Sequence, residues 1–583
     1  MSIEKSKATK RKEGLCMRIT NLKIINFRGI KNASIVFPRD ERVVCLIGAG
    51  DSTKSTILQA IEWILWPSWN LSASDSDFYE CDTSSPIVLR GTFSELPERL
   101  LTEDKYGLYL RNPDVPLEAG RDDEPSDNLP VCLTVQLTID NSLEPKWEVV
   151  CNRNEPKIIS LADRKSIIAN KIGNNCSKDM LWGKYSVLQK YADSKGIIHD
   201  VQTSALRDIA QNADLHALDG ITEMVKNIGK EYGVGFKGEV SNHMQIQGIS
   251  FSTSVGLFDG KAPLSQRGLG SQRLLSMGLN INAYSNNSII LVDEIENGLE
   301  PYRLRSIINE FRLKHTATGQ VIMTTHSPIA VAECTISEIL IVHSVNGTTQ
   351  CIPLKSGDAQ TDDAMQAQIR KNAEAFLCKR VIVCEGKTEQ GFIRALDSYL
   401  SKEKGIRIAF AGIGTADGGG STALKCTKQF FSCGYEVCLF MDSDKADEKV
   451  QKEELSNRGI SVFDWEEPNA IEEQVYNDIP LRLATKLISI AIDEYGLESV
   501  KNRLSEIPYD ETDGYIELKD MTCSTKRSIG TIAKAKKVEW YKRIDLGESL
   551  GNVVFSELDS IDVNSKLRRV IEGIINWVIC DDK

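Results

Sequence analysis

The sequence predicts an α/β protein with two sheet-containing domains, and three observations carry the prediction. Short apolar runs bounded by Gly, Pro, Asn and Asp alternate with segments whose apolar residues recur at helical spacing. The strand–helix–strand order from SIILVDE to EILIVHS is that of a parallel sheet. After a polar stretch, KSGDAQTDDAMQAQIRKN, the alternation starts afresh at KRVIVCEG. At 583 residues the chain exceeds what one hydrophobic core serves, and about three structural parts are expected.

In chain order, MSIEKSKATKRKEG is basic and polar, and residues 1–16 are expected to be a disordered tail rather than a secretory signal. MRITNLKIINFRGI alternates as a half-buried strand does, ERVVCLIG is a continuous apolar strand, and STILQAIEWILW is an amphipathic helix. Three further strands follow (IVLRGTFSEL, VCLTVQLTI, KWEVVC), interrupted by a Pro-, Gly- and Asp-rich loop. From Lys157 the spacing turns helical, which predicts an inserted arm over 157–240. Strands return near Met244, and the second α/β unit contributes the short strands KRVIVCEG, IRIAFAGIG and EVCLFMDSD. The remainder reads as mainly helical.

Composition excludes several classes. With 41% hydrophobic and 26% charged residues the chain is an ordinary globular one, neither disordered nor fibrous. No apolar run approaches the ~20 residues that span a bilayer. Fifteen scattered cysteines with no Cys-x-x-Cys pair read as reduced, buried thiols of a cytoplasmic protein. Six histidines leave little scope for a zinc centre. The net charge of −12 is formally unfavourable for nucleic acid, but the stretch STKRSIGTIAKAKKVEWYKR carries seven basic residues against one acid, Glu539. Positive charge is therefore local, and local charge speaks to partners better than the total.

LIGAGDSTKSTIL follows a strand and opens a helix, the context of a phosphate-binding loop. Backbone N–H groups and the helix N-terminus favour an anion there. Gly48, Gly50, Lys54, Ser55 and Thr56 are the candidates for ATP, with Lys54 reaching the β/γ-phosphates and Ser55 ligating Mg²⁺. Thr53 stands where the usual pattern has glycine, and Asp51 places a carboxylate beside the phosphates. Both departures put fast hydrolysis in question. SIILVDE ends in Asp293 and Glu294, the Walker B form: Asp293 to hold Mg²⁺, Glu294 to polarise water. LSQRGLGSQRLLSM, with Ser271 in its centre, resembles the signature segment of ABC-type ATPases; ENGLEP resembles a D-loop, and VIMTTHSP ends in His326 as an H-loop does. The ABC/SMC resemblance implies that the signature segment of one copy completes the site of another, hence a homodimer or higher oligomer.

VIVCEGKTE ends a strand in Glu385 and places Glu389 in the first turn of the next helix. FMDSDK ends another strand in Asp442 and Asp444. Four carboxylates at one sheet edge repel unless cations neutralise them, and oxygen-only ligands suit Mg²⁺ or Mn²⁺. Two such ions can activate water and stabilise the leaving oxygen in phosphodiester cleavage. E-G-x-x-E followed by D-x-D resembles a Toprim domain. The following WEEPNAIEEQVY adds Glu472 and Glu473; which of the two faces inward is open, and Glu473 is taken as the candidate.

An ABC/SMC-type ATPase core with a helical dimerisation insertion, followed by a Rossmann-like Toprim domain with a helical C-terminal extension, is similar to the OLD (overcoming lysogenization defect) family of nucleases. The implied divisions are 17–156 and 241–360 for the ATPase halves, 157–240 for the arm and 375–583 for the Toprim part. The resemblance implies a nucleotide-regulated, divalent-metal-dependent DNA endonuclease of bacterial antiphage defence. Implied partners are DNA, a second copy, and either a helicase, as in Gabija, or a reverse transcriptase with its RNA–DNA product, as in retrons; no membrane is implied. The family's C-terminal lysine is matched first to Lys542 and second to Lys536. The competing reading is an ATP-gated DNA clamp without nuclease activity. A topoisomerase or primase is disfavoured, since no sign of a tyrosine-bearing or zinc module is found.

Overall fold

The computed structural model describes residues 17–117, 121–125, 131–173, 176–182, 187–188, 215–247, 252–283, 288–315, 319–535 and 539–580. The expected tail (1–16), much of the expected arm (189–214) and Lys536 lie outside them. The chain forms two compact units, Met1–Gln366 and Ala367–Lys583.

Unit 1 is organised by a twelve-stranded mixed sheet. Its strands are β1 (Arg18–Phe27), β2 (Ile30–Val36), β3 (Val43–Ile47), β4 (Ile87–Ser94), β5 (Cys132–Ile139), β6 (Pro145–Val150), β7 (Lys157–Ile158) and β8 (Ile168–Ile172). Four more, absent from the large sheet's path, are β9 (Leu181–Trp182), β10 (Val240–Gln247), β11 (Ser252–Asp259) and β12 (Ala262–Pro263), which form a small antiparallel sheet. The large sheet resumes with β13 (Ser288–Val292), β14 (Gly319–Thr324), β15 (Ile339–Val345) and β16 (Thr348–Pro353), and its order is β7-β6-β5-β4-β1-β2-β16-β15-β3-β14-β13-β8. One wing, from β7 to β2, is antiparallel; the other, from β15 through β3, β14 and β13 to β8, is parallel. In β3, β13 and β14 every residue is buried, which is why they read as continuous apolar runs. Helix α1 (Lys54–Ile64) lays Ile57, Leu58, Ile61 and Ile64 into the core against Leu46, Leu89 and Phe93.

The start of the segment expected to be an arm lies instead in the large sheet. Residues 157–172 supply β7 and β8 to the large sheet, with a single helical turn between them, so they belong to that sheet. SIIANKI is too short for periodicity to separate strand from helix. Downstream, the described part of 157–240 includes an amphipathic helix, Asp219–Glu231.

Unit 2 holds a four-stranded parallel sheet of β17 (Arg380–Cys384), β18 (Ile413–Asp417), β19 (Glu436–Met441) and β20 (Ser461–Asp464), ordered β18-β17-β19-β20. The strand expected from IRIAFAGIG starts only at Ile413. Residues 407–412 form tight turns that close on Gly412 at φ 71°, a left-handed conformation that ends the preceding alternation. Helix α4 (Lys387–Glu403), so numbered after α2 (Leu269–Ala283) and α3 (Pro301–His315) of unit 1, follows β17. It is succeeded by α5 (Ile471–Asp478), α6 (Cys523–Lys534) and α7 (Ile544–Ser556). α4 meets α7 at glycines: a Cβ on Gly391 would fall on the Ile544 carbonyl, and one on Gly547 would lie 2.5 Å from the Thr388 carbonyl. This close approach, with Phe392, Leu396, Leu550 and Val554 buried beside it, fastens the C-terminal helices to the sheet.

Candidate functional site

In unit 1 the parallel order β3-β14-β13 brings three chain exits to one sheet edge. The loop after β3 supplies Gly48 to Lys54, the turn after β13 supplies Asp293 to Glu296, and His326 follows β14. Gly48 sits at φ 142°, and a Cβ there would strike the Val342 carbonyl, so glycine is required. Around Gly50 there is open space. Thr53, in the glycine position of the usual motif, still adopts the left-handed conformation at φ 67°, as does Asp51 at φ 59°. A β-branched residue there is strained by roughly 1–2 kcal/mol. Hydrogen bonds from Thr53 Oγ1 to the Ser52 carbonyl (2.6 Å) and with Thr349 Oγ1 (3.0 Å) offset the strain. The loop thus keeps its curl without the glycine.

Ser55, exposed, donates from Oγ to Asp293 Oδ1 at 2.9 Å, and Thr324 Oγ1 donates to the same oxygen at 2.8 Å. Thr56, partly buried, lies in the first turn of α1. Lys54 is only 4% exposed, and its ammonium curls into the loop, donating to the carbonyls of Gly48 (2.8 Å) and Ala49 (2.7 Å) and to Ser52 Oγ (3.0 Å). Burial lowers its pKa to about 8 against the opposing pull of Glu296, Asp51 and Asp293. Glu296, which the sequence placed merely within a D-loop segment, belongs to the site. Its carboxylate accepts from Thr325 Oγ1 and from the His326 N–H, both at 2.6 Å. Its signal in the sequence was its spacing, three residues beyond Asp293 in a turn. His326 is exposed; partial desolvation, then the Lys54 charge, lower its pKa. Lys171 of β8, 4.0 Å from Asp293 Oδ2 and 3.7 Å from Glu62, was likewise not anticipated.

The signature-like segment forms the start of α2. Ser271 is partly buried, and Gly270 packs against the Gly298 carbonyl of the D-loop segment. Arg273 is fully buried and braces the Walker B turn of its own chain, donating to the carbonyls of Asp293, Glu294 (2.6 Å) and Gly173 (3.2 Å). Glu294 sits at φ 48°, its N–H donating to Thr324 Oγ1 at 2.8 Å.

In unit 2 the carboxylates gather at the C-terminal edge of the parallel sheet, where β17 and β19 are adjacent. Glu385 follows β17; one oxygen accepts from the Asp442 N–H (3.0 Å) and the other from Lys445 Nζ (3.3 Å). Glu389, 4% exposed, accepts from the Gly386 N–H at 2.8 Å. Asp442 follows β19 and accepts from the Ile471 N–H at 2.9 Å. Burial, then the charges of Glu472 and Glu385, push Glu389 up to about 8. Burial and the charge of Asp442 push Glu472 up to about 8. Asp442 is raised by burial and by Glu389, Glu385 and Asp444.

The pair left open in the sequence now separates. Glu472 is buried among these carboxyls; Glu473 turns to Lys534 (3.0 Å), whose ammonium also reaches Asp444 at 3.2 Å. Among the described lysines of the C-terminal basic stretch, the one touching the acidic cluster is therefore Lys534 of α6. Lys542, 62% exposed at its side chain, pairs with Glu539 at 3.1 Å and acts on Glu472 and Asp442 by charge alone. Sequence could not choose among the lysines, because the choice depends on how α6 lies against α5. That contact is set by Gly530, where a Cβ would press on the Glu473 backbone at 2.8 Å.

The donor set of unit 2, all oxygen and with three carboxyls raised by burial and then by mutual repulsion, fits a hard divalent cation. As the side chains stand, no three His, Cys, Asp or Glu among the described residues form a ready coordination group. In unit 1 the Ser55–Asp293 pair beneath a phosphate-binding loop fits Mg²⁺ with a nucleotide. Among the described residues no helix is long and apolar enough to cross a membrane, and the described cysteines are all free.

Comparison with known proteins bears on unit 1. Residues 17–209 match the family model "AAA ATPase domain", and residues 192–332 match "AAA domain, putative AbiEii toxin, Type IV TA system". The chain carries an ATPase domain. No curated protein matches it. Solved structures it resembles include an SMC head bound to the C-winged helix domain of ScpA (16% identity, TM-score 0.37, 59% of this chain and 99% of that one). Others are the SMC head domain from Thermotoga maritima (14%, 0.30, 58% and 99%) and the Pyrococcus furiosus SMC head with an extended coiled coil bound to the C-terminal domain of ScpA (13%, 0.35, 58% and 96%).

Proposed function

We propose that the protein is a nucleotide-regulated, divalent-metal-dependent DNA endonuclease of the OLD kind, an ATPase domain joined to a Toprim domain, and the effector of a bacterial antiphage defence. One observation carries the reading: Glu385, Glu389, Asp442, Asp444 and Glu472 converge at the C-terminal edge of one parallel sheet, with Lys534 against them. Such an edge is where open α/β sheets bind ligands.

Glu385, Glu389, Asp442 and Asp444 would hold Mg²⁺ or Mn²⁺, which would supply activation of water and stabilisation of the leaving oxygen. The backbone bonds to Glu385, Glu389 and Asp442 aim these carboxylates before a substrate arrives. Lys534 places a positive charge where a phosphodiester gains negative charge, and the basic residues of α6 and beyond meet the backbone of DNA. In unit 1, Lys54 would turn from the loop carbonyls to the phosphates, while Ser55 and Asp293 would hold Mg²⁺. A second copy would complete the nucleotide site through Ser271. The strained Thr53 and the acid Asp51 support slow turnover, a sensor of nucleotide rather than a motor. The likeness to an AbiEii toxin domain accords with a role in defence; a helicase or a reverse transcriptase with its RNA–DNA product is the partner class to seek.

The test is cleavage of supercoiled plasmid by the purified chain with Mg²⁺ or Mn²⁺, with and without ATP. Glu385→Ala and Asp442→Ala should abolish nicking with an unchanged circular dichroism spectrum. Plasmid left intact under every metal and nucleotide condition would favour the clamp reading; undiminished cutting by both variants would reject the site.

A further inference from the structure

Lys452, in the helix Lys449–Asn457 of unit 2, is only 7% exposed and takes no part in the chemistry described above. Taking an ammonium out of water is costly unless its donors are matched. Here they are: it donates to the Asp442 carbonyl at 2.6 Å, to Ser443 Oγ at 3.0 Å and to Asp464 Oδ2 at 3.2 Å. Asp464 ends β20, in register with Met441 of β19. The same Oδ2 accepts from Ser443 Oγ at 3.1 Å, while Oδ1 accepts from Lys566 at 3.4 Å. The charge of Lys452 is thus met by Asp464, at the root of the Asp442–Asp444 segment.

The consequence is geometric. The peptide unit joining Asp442 to Ser443 is planar, and both of its polar ends are gripped: the carbonyl by Lys452, the N–H by the Asn469 carbonyl at 3.0 Å. Fixing that plane fixes how the chain turns between Asp442 and Asp444. We propose that Lys452 is a positioning residue for the divalent cation of the acidic edge, an inference that rests on the metal site proposed above. It touches no reacting atom; it holds the backbone from which Asp442 and Asp444 project, so that both carboxylates address one cation. Groups that orient metal ligands in this way commonly govern affinity as strongly as a weak ligand does. Lys566 supplies the contrast, since it bonds the other oxygen of Asp464 and not the peptide unit.

The test is isothermal titration of the full chain with Mn²⁺, without DNA or nucleotide; the signal of the acidic edge is the part that Asp442→Ala removes. Lys452→Met, which keeps the bulk but not the donors, should weaken that binding about tenfold or more. Lys566→Met should leave it unchanged, although it too withdraws a cation from Asp464. In plasmid cleavage, Lys452→Met should need correspondingly more Mn²⁺ for half-maximal rate, and saturating Mn²⁺ should restore the rate. A lysine that only stabilised the fold would lower Tm without moving the Mn²⁺ requirement. Where Lys452→Met does not fold, Ser443→Ala, which deletes one of the three acceptors, should weaken Mn²⁺ binding about threefold. Unchanged affinity in the variant that folds, an equal loss in Lys566→Met, or a rate that saturating Mn²⁺ fails to restore would each overturn the role of Lys452. Wild type that binds no Mn²⁺ at this edge would overturn it together with the metal site. Wild type that binds Mn²⁺ but cuts nothing would overturn the nuclease reading alone, and the titration would still decide on Lys452.

Discussion

Replacing Glu472 by glutamine should stabilise unit 2 in the absence of metal while weakening its response to metal. Glu472 is 5% exposed, and burial followed by the charge of Asp442 lifts its carboxyl from 4.5 to about 8. The native value lies above the unfolded one, so the folded state keeps the proton longer. This carboxyl's contribution is then fully present in acid and is lost as pH rises from about 4.5 to about 8. At about 1.4 kcal/mol per pH unit the ceiling is about 5 kcal/mol near pH 8. Lys534 and Lys542 oppose the shift, and Asp442 and Glu389 share it, so about 2 kcal/mol is expected to be recovered by the neutral, isosteric amide. For a domain of this size that is roughly 4–8 °C in Tm.

The assay is thermal unfolding in EDTA near pH 5.5 and near pH 8, repeated with Mg²⁺. Wild type should lose stability toward pH 8 and regain it with Mg²⁺. Glu472→Gln should melt higher than wild type near pH 8, equal it near pH 5.5, and gain less from Mg²⁺. A variant that melts lower than wild type near pH 8, or by the same margin at both values, would show that the carboxyl is held by hydrogen bonds rather than strained by its neighbours.

Arg273→Met should destabilise unit 1 by about 3–5 kcal/mol in urea unfolding, because it orphans the buried carbonyls of Gly173, Asp293 and Glu294; a loss below about 1 kcal/mol would remove the brace from the argument. Gly391→Ala should cost about 1–3 kcal/mol by forcing α4 off α7, and an unchanged midpoint would mean that the helices part freely. ATP binding near pH 8 should take up a fraction of a proton, since Lys54 at about 8 is partly neutral until phosphates draw its charge out. Titration heats that do not vary with the buffer's ionisation enthalpy would contradict that.

The nucleotide edge was legible because its parts are sequential signals. Continuous apolar runs mark buried parallel strands, and each run ends in the residues that the sheet order then gathers. β8 was not, since a short apolar run carries no period and its place beside β13 is a tertiary fact. The same limit applies to the acidic edge. Glu385, Glu389 and Asp442 follow strands and could be named in advance. Adjacent Glu472 and Glu473 differ by about 100° around α5, an angle that the sequence leaves without an origin until Ile471 bonds to Asp442. Lys534 was hidden in a basic stretch where all lysines look alike.

The division of labour among these charges locates the need for a cation. The rim carboxylates already have counter-ions of the chain's own: Glu385 has Lys445, and Asp444 has Lys534, at 3.3 and 3.2 Å. Among the described residues, the carboxyls of Glu389, Asp442 and Glu472 accept no bond from a lysine, and burial first, then their mutual charge, raises their pKa values. At neutral pH they answer repulsion by keeping protons. A divalent ion entering this edge would therefore exchange mainly with protons rather than lysines, and its affinity would climb with pH up to about 8 before levelling. Lysine displacement would give no such rise, since Lys445 and Lys534 are both held above the ordinary lysine range by their partners. A metal affinity flat between about pH 6 and 8 would place the ion at the rim instead.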